Sequence, residues 1–404
     1  MDNYEALVEK AIRDKVIPGA VFAARDDKGK LVYCKAISGK DSTYTQDTVL
    51  EVASLTKLVT TIAALQLVER GLISLHEDVT QYIPAFANQP VLDGEVDENG
   101  GFASRQRRNR ITLHRLLTHS AGAAYTFTDR RIAKYVAVSS QYKADGTINS
   151  TFDFPLSYEP GEGWLYSNAI DRVGQIVESV SGCSLEDYFK INIFQPLGFS
   201  KASFNNELPR PPMAVRIHPN SPAIPDPSVP TFTTGLKDCF GGQGLFVSLQ
   251  DYTKILHSLL VDDETLLKRE TTAVMFKPQL SPPAKTALLR ELESASWTVG
   301  DIPPTGEYDW GYGGLLIDGE SHPHRRRNTL LWSGAPSLFW VSKSAPDILQ
   351  KLTEGSQFID REAGVCGVFG TQVLPPSDPV VCPIIKAFEE AVYSQLELIS
   401  KESM

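Results

Sequence analysis

Residues 51–71 read EVASLTKLVTTIAALQLVERG, and this stretch decides the interpretation of the chain. Its apolar residues recur at helical spacing: Leu58, Ile62, Leu65 and Val68. Gly71 follows as a stop signal, so we predict an amphipathic helix over 54–70 that opens at Ser54. Residues three apart share one face of a helix, and Lys57 is therefore expected to reach the Ser54 hydroxyl.

The Ser54 and Lys57 pair has the residue types that a nucleophile and its base require. A nucleophilic serine needs a neighbouring group to take its proton. The first turn of a helix also offers unpaired N–H groups that favour developing negative charge. The alternative is a helix cap with an exposed lysine. A second S-x-x-K, from Ser140 to Lys143, precedes a polar turn at 144–146, and we predict a solvated surface pair there.

Two later segments carry groups that would assist such a pair. Tyr166 lies just before a predicted helix over 168–181 and is a candidate second proton carrier. The segment Trp332-Ser333-Gly334-Ala335 ends a predicted strand, and a strand edge can supply a backbone N–H to an oxyanion. The alternatives are a tyrosine of the core and a buried tryptophan at an ordinary strand end.

Composition bounds the class of protein. The chain has 404 residues, is 42% apolar, and carries a net charge of −10, which argues against a general nucleic-acid binder. Its five cysteines include no C-x-x-C, so a reducing compartment is expected rather than a disulfide scaffold or zinc site. We find no signal-peptide pattern and no run of about 20 apolar residues. We therefore predict a cytoplasmic protein without a membrane or nucleic-acid partner.

The order of predicted elements indicates an α+β fold. Helices are predicted at 3–15 and at about 379–399, and further helices at 112–118, 168–181, 184–195 and 248–260. Strands are predicted at 21–25, 31–37, 311–317, 328–333, 337–342 and 364–369. We expect the early and late strands to share one antiparallel sheet. Residues 1–70 and 300–404 would form the sheet subdomain and 71–299 a mainly helical lobe, with the site between them.

The order S-x-x-K, Y-x-N and a strand-borne x-x-G resembles the serine β-lactamase and penicillin-binding-protein superfamily. The segment 113–122, which contains His119, is similar to the H-x-L-L-x-H-x-S-G segment of its class C and esterase branch. Residues 196–199 and 240–245, the latter with Gln243, resemble further segments of that branch. From about residue 4 to 395 the chain is similar to the fungal acyltransferases of the lovastatin pathway.

This resemblance implies a β-lactamase/transpeptidase-like fold and acyl-enzyme chemistry that needs no metal or organic cofactor. It implies that Ser54 is the acylated nucleophile, Lys57 its base partner and Tyr166 a second general base or acid. The backbone N–H groups of Ser54 and Ala335 would form the oxyanion hole. The residues expected to position the site or bind substrate are Asn168, Trp332, Ser333, Gly334, Gln243 and His119.

One departure from the β-lactamase pattern bears on the substrate. Trp332 stands where β-lactamases have a lysine that helps to bind the substrate carboxylate, and its apolar ring favours an apolar or uncharged acyl substrate. We therefore predict a serine acyltransferase of secondary metabolism that moves an acyl group from a thioester to a natural-product alcohol. The complete Y-x-N leaves a carboxylesterase open. Less favoured are a β-lactamase or D-Ala peptidase, non-acyl chemistry on a polyketide, and a non-catalytic scaffold.

The expected partners are a small-molecule acceptor or ester and a thioester donor on an acyl carrier protein or coenzyme A. Carrier proteins are acidic, so docking needs a local basic patch despite the negative net charge. Candidates are the arginines of 105–110 and the segment His324-Arg325-Arg326-Arg327. The alternative is ordinary solvated loop charge.

Overall fold

The structure, a computed structural model, describes residues 1–205, 207–294, 302–322, 325–334, 337–341, 363–375 and 378–402. Its α-helices are α1 (Asp2–Arg13), α2 (Thr56–Glu69), α3 (Leu113–Leu117), α4 (Arg130–Val138), α5 (Ile148–Thr151), α6 (Ala169–Ser181), α7 (Leu185–Phe189), α8 (Leu249–Val261), α9 (Arg269–Met275), α10 (Pro282–Ser294) and α11 (Cys382–Glu402). Its strands are β1 (Gly19–Asp26), β2 (Val32–Ser38), β3 (Val49–Glu51), β4 (Val91–Val96), β5 (Phe102–Arg105), β6 (Ala202–Ser203), β7 (Ala214–Val215), β8 (Ile224–Pro225), β9 (Phe246–Ser248), β10 (Tyr308–Gly311), β11 (Gly314–Ile317), β12 (Leu330–Gly334), β13 (Ser337–Val341), β14 (Val365–Gly370) and β15 (Val373–Leu374).

The main sheet joins the two ends of the chain. Its seven described strands run antiparallel in the order β10-β11-β12-β13-β14-β1-β2. Strand β1 pairs with β14 from Val21 opposite Gly370 to Asp26 opposite Val365. This arrangement confirms the predicted α+β class and the sheet shared by early and late strands.

Helices cover this sheet because β1 is apolar along nearly its whole length. Seven of its eight residues are buried, so both faces of the strand are covered. Phe22 of β1 contacts Tyr4 of α1 and Phe388 of α11, with ring centroids 5.0 and 5.4 Å apart. Helix α8 packs against β1, β13 and β14. No helix among the described residues is long and apolar enough to cross a membrane.

Helix α2 differs from its prediction in two ways. Residues 56–67 are all buried, so the helix is a core helix and not an amphipathic one. It begins at Thr56, and Ser54 lies in a separate one-turn 3-10 helix, Ala53–Leu55. The α-helix cannot extend back through Ala53, whose φ of 41° is left-handed.

The middle of the chain contains the small elements. Helices α3 to α10 lie there. Strands β6 and β9 of this region form a three-stranded sheet with β3, in the order β3-β9-β6, and β3 comes just before the Ser54 turn. The helix predicted over 184–195 is α7 followed by a π-helical segment, Lys190–Phe194. Residues 262–310, for which the sequence predicts no elements, contain α9, α10 and the start of β10. The division into 1–70 with 300–404 and 71–299 remains a prediction.

Candidate active site

The backbone around Ser54 is a tight turn pressed against strand β12. Ser54 is half-buried, whereas Ala53 and Leu55 beside it are buried. A Cβ added at Gly334 would lie 2.2 Å from the Val52 carbonyl oxygen and 2.8 Å from the Ser54 nitrogen. Because only glycine tolerates this approach, Gly334 brings the end of β12 against the backbone of Ser54.

The Lys57 side chain is buried and its ammonium is fully bound. Its Nζ donates to Ser54 Oγ at 3.1 Å, to Tyr125 OH at 3.2 Å and to the Gly242 carbonyl oxygen at 2.6 Å. An ammonium has three protons to donate, and three acceptors stand around this one. The alternative of an exposed lysine beside a helix cap is therefore wrong.

Tyr166 lies on the other side of Ser54. Its hydroxyl donates to Ser54 Oγ at 2.6 Å and accepts from Trp332 Nε1 at 3.2 Å. Lys57 Nζ lies 4.7 Å from the centre of the Tyr166 ring. Ser54 Oγ thus accepts hydrogen bonds from an amine and from a phenol, and either group can take the Ser54 proton once it has lost a proton of its own.

Two buried residues that sequence reasoning missed complete this network. The Tyr125 hydroxyl donates to Asp171 Oδ2 at 3.3 Å, and Asp171 Oδ1 accepts the Gly242 N–H at 2.8 Å. Burial raises the pKa of the Asp171 carboxyl, while Lys57 and the Gly242 N–H act in the opposite direction. Asp171 lies in the first turn of the predicted helix over 168–181, but acidic residues favour that position for helix stability alone. No sequence motif indicates a role in the site for Tyr125.

Aromatic rings surround Tyr166. His119 is buried with a left-handed φ of 56°, and its ring lies 5.0 Å from those of Tyr166 and Trp310. Trp310 in turn contacts Trp332, with ring centroids 4.7 Å apart. His119 Nδ1 shares a hydrogen bond of 2.9 Å with Ser167 Oγ. Burial, together with the charge of Lys57, lowers the pKa of His119 well below 6.5, so the ring is neutral.

The other predicted site residues lie at varied places. The Asn168 amide donates to the Ala124 carbonyl oxygen at 2.6 Å. Ala124 directly precedes Tyr125, whose hydroxyl accepts a hydrogen bond from Lys57. Gln243 is half-buried directly after Gly242, and Ser333 is half-buried on β12. Ala335, the predicted second oxyanion donor, lies outside the described residues.

The remaining sequence candidates lie elsewhere. Ser140 and Lys143 are exposed, as predicted. Among the described residues, no group of three or more His, Cys, Asp and Glu side chains is placed to hold a metal ion.

Three arginines of the two candidate docking segments lie close to carboxylates of the protein. Arg105 and Arg108 both form ion pairs with Glu159. Arg325 is buried with 2% of its side chain exposed, and its Nη2 lies 4.0 Å from a Glu389 carboxylate oxygen. The prediction that Arg325 belongs to a surface patch is therefore wrong, because its guanidinium faces the α11 carboxylate. His324 lies outside the described residues.

Comparisons with known proteins extend over nearly the whole chain. A family model described as Beta-lactamase matches residues 4–340. Monacolin J acid methylbutanoyltransferase of Aspergillus terreus is 34% identical over 97% of this chain and 95% of that protein. Lovastatin esterase of Penicillium rubens is 34% identical over 95% of this chain and 96% of that protein. Unliganded simvastatin synthase from Aspergillus terreus superposes with a TM-score of 0.85 at 32% identity, covering 97% of each chain. The predicted β-lactamase/transpeptidase-like fold is thereby confirmed.

Proposed function

This chain belongs to the beta-lactamase family, and from that premise we propose that it is a serine acyltransferase of secondary metabolism. It would move an acyl group from a thioester to the hydroxyl of a natural product through an acyl-Ser54 intermediate. The observation that carries the proposal is the Ser54 hydroxyl, which lies 3.1 Å from Lys57 Nζ and 2.6 Å from Tyr166 OH. The relatives named as an acyltransferase and an esterase support the same chemistry.

The proposed reaction has two halves. Ser54 Oγ attacks the carbonyl carbon of the thioester while its proton passes to Lys57 or Tyr166, whichever has first given a proton to solvent and stands as the neutral amine or the phenolate. The carbon–sulfur bond breaks, and the departing thiolate takes that proton. The acceptor hydroxyl then gives its proton to the same group and attacks the acyl carbon. Ser54 Oγ leaves and takes the proton back, so each half balances.

Stabilisation of the oxyanion is the other requirement of both halves. We assign it to the backbone N–H groups of Ser54 and Ala335. The close approach of Gly334 to the Ser54 nitrogen supports this assignment, because it brings the end of β12 to the place where the second donor is needed.

Trp332 bears on the class of acyl group. It is buried, its indole N–H is directed to Tyr166 OH, and its neighbours include the Trp310 ring. A β-lactamase lysine at this place would offer a charge to a substrate carboxylate, and the tryptophan offers none. An apolar, uncharged acyl group is therefore the substrate that we propose.

Hydrolysis of an ester is the second candidate function. The observation that favours it is the lovastatin esterase relative, which has the same 34% identity as the acyltransferase relative. Both reactions use the same acyl-enzyme and differ in whether an alcohol or water discharges it. The acyl acceptor of the transferase, or the ester substrate of the esterase, would be a small molecule. The donor of the transferase would be a thioester on an acyl carrier protein or coenzyme A. We further propose a cytoplasmic setting, which the five free cysteines support.

The test is the intact mass of the protein after mixing with short acyl thioesters and activated esters. We expect an acyl adduct on wild type and none on Ser54→Ala. Persistence of the adduct in buffer and its discharge by added alcohols would support acyl transfer, and rapid loss to water would support the esterase. No adduct and no turnover with any donor would overturn both.

A further inference from the structure

The groups that bind the Lys57 ammonium lead to one buried carboxylate. Apart from Ser54 Oγ, its acceptors are the Tyr125 hydroxyl and the Gly242 carbonyl oxygen. Asp171 Oδ2 accepts a hydrogen bond from the Tyr125 hydroxyl, and Asp171 Oδ1 accepts one from the Gly242 N–H. The two oxygens of one side chain thus hold both residues that orient the ammonium.

The packing around Asp171 leaves this arrangement little freedom. Asp171 is fully buried on α6, and α6 packs against α2, the helix that carries Lys57. A Cβ added at Gly242 would lie 2.4 Å from Asp171 Oδ2, so the carboxylate is in direct contact with that backbone. The neighbouring Gly241 carbonyl oxygen accepts from Thr60 Oγ1 of α2 at 2.6 Å. The segment 241–242 is therefore fixed between the two helices.

We propose that Asp171 is the positioning residue of the Ser54 and Lys57 pair, acting through Tyr125 and Gly242. This inference rests on the proposed function and deepens it. Asp171 does not touch the Ser54 hydroxyl. It holds the acceptors that aim one proton of Lys57 Nζ at Ser54 Oγ, and its negative charge balances the buried ammonium.

The same arrangement distinguishes the two tyrosines beside Lys57. Burial raises the pKa of Tyr125 well above 10, and the charge of Asp171 adds to this effect. Tyr125 therefore stays protonated and serves as a bridge between Asp171 and Lys57. Tyr166, which contacts Ser54 Oγ, is left as the phenol that carries the proton.

The charged and titratable groups around this pair set the sign of a pH effect. Lys57 faces the Asp171 carboxylate, the phenols of Tyr125 and Tyr166, and the neutral His119. The positive charge of Arg172 lowers the pKa of Asp171, against the effect of burial. A carboxylate favours the charged form of an amine and disfavours the anionic form of a phenol. Its replacement by asparagine therefore removes a negative charge that faces both proton carriers.

The experiment measures the rate of acylation of Ser54 by an activated ester as a function of pH. We expect Asp171→Asn to lower the plateau rate by about 10- to 100-fold, because a misplacement of about 1 Å at a reacting group can cost 10²-fold. We also expect the acidic limb of the pH profile to move to lower pH. A purely structural role would lower the folded fraction and leave that limb in place.

A matched control is Asp251→Asn on α8. Asp251 is also buried, but its carboxylate binds Ser200 and Lys254 and not the site. We expect this variant to lose stability and keep the wild-type pH profile. Tyr125→Phe, which removes the bridging hydroxyl, should lower the acylation rate about 10-fold and add little to Asp171→Asn in the double variant.

The outcomes separate the two proposals. If wild type is acylated while folded Asp171→Asn reacts within about twofold of it and keeps the acidic limb, the inference is wrong and the proposed function stands. If Asp171→Asn does not fold, Tyr125→Phe decides, and an unchanged rate in that variant overturns the inference. If wild type itself forms no adduct, the proposed function fails and the inference fails with it.

Discussion

Ser54 follows a residue in an unfavourable backbone conformation. Ala53 has a φ of 41°, and a non-glycine residue in this region costs about 1–3 kcal/mol. Hydrogen bonds hold the turn, with Thr56 Oγ1 donating to the Ala53 carbonyl oxygen at 2.6 Å and Leu55 N–H to that of Val52 at 3.0 Å. The nucleophile therefore occupies a place that its neighbours enforce, which favours a fixed hydroxyl direction.

Substitution of the two S-x-x-K serines should show which of them is the nucleophile. Ser54→Ala removes the oxygen that Lys57 and Tyr166 share, and we expect turnover of an activated ester to fall about 10³-fold or more. Ser140→Ala changes an exposed side chain, and we expect turnover near wild type. Steady-state rates of both variants check this. Loss of turnover in Ser140→Ala would show that the nucleophile is misassigned.

The indole N–H of Trp332 gives a second prediction. It donates to Tyr166 OH at 3.2 Å, and a neutral hydrogen bond contributes about 1 kcal/mol. Trp332→Phe keeps an aromatic ring and removes the donor, so we expect kcat to fall about 5- to 10-fold. Trp164→Phe is the matched control, because the buried Trp164 Nε1 donates to no described group. Equal losses in the two variants would indicate a packing effect instead of the hydrogen bond.

Strand β3 directs a carboxyl group into the protein just before the Ser54 turn. All three residues of β3 are buried, and Glu51 Oε1 accepts the Phe232 N–H at 2.9 Å. Burial raises the pKa of Glu51 from 4.5 to about 7, against the opposing charge of Arg210. The strand that leads to the nucleophile therefore carries a group that titrates near neutrality.

The free energy of unfolding should depend on this group. A carboxyl whose pKa is raised on folding stabilises the protein below its unfolded value of 4.5, and the contribution is lost as pH rises through about 7. The difference amounts to at most about 3 kcal/mol. Urea unfolding at pH 5 and pH 8 should show this loss in wild type and not in Glu51→Gln. Glu207→Gln, at an exposed position, should behave as wild type. An unchanged pH dependence in Glu51→Gln would contradict the prediction.

The elements with clear periodicity were predictable, and those without it were not. Helices α1, α6, α8 and α11 and six strands of the main sheet lie within a few residues of their predicted places. The exception is β10, because the single strand predicted at 311–317 covers β11 and only the last residue of β10. Helix α10 begins at Pro282-Pro283, and such a pair signals a turn as readily as a helix start. The burial of α2 on every face depends on what packs around it, which its own pattern does not contain.

The site was predictable only where local sequence carries it. Ser54, Lys57 and Tyr166 lie in short motifs, and the structure brings these three side chains together. The bond from Lys57 to the Gly242 carbonyl spans 185 residues, and no local pattern indicates it. The place of Asp171 in the site could not be predicted for the same reason, because its partners come from distant segments of the chain. The role of each of these residues remains a prediction.

The proline-rich segment 205–230 is connected to both the N-terminal and the C-terminal regions of the chain. Strand β7 pairs in parallel with β15, and the Arg216 N–H donates to the Leu374 carbonyl oxygen at 2.8 Å. The Arg216 guanidinium is buried and donates to the Asp378 carboxylate, to the Ser221 carbonyl oxygen and to that of Val16. One side chain thus connects the N-terminal region, the middle and the C-terminal region.

Removal of that side chain should weaken the whole molecule. Arg216→Met leaves the buried Asp378 carboxylate without its charged partner, and we expect the free energy of unfolding to fall by about 3–5 kcal/mol. Arg13→Met is the control, because Arg13 forms an exposed ion pair with Glu9 that contributes less than about 1 kcal/mol. Urea unfolding monitored by tryptophan fluorescence and by circular dichroism measures both. Similar small losses in the two variants would mean that the segment 205–230 docks without help from this buried pair.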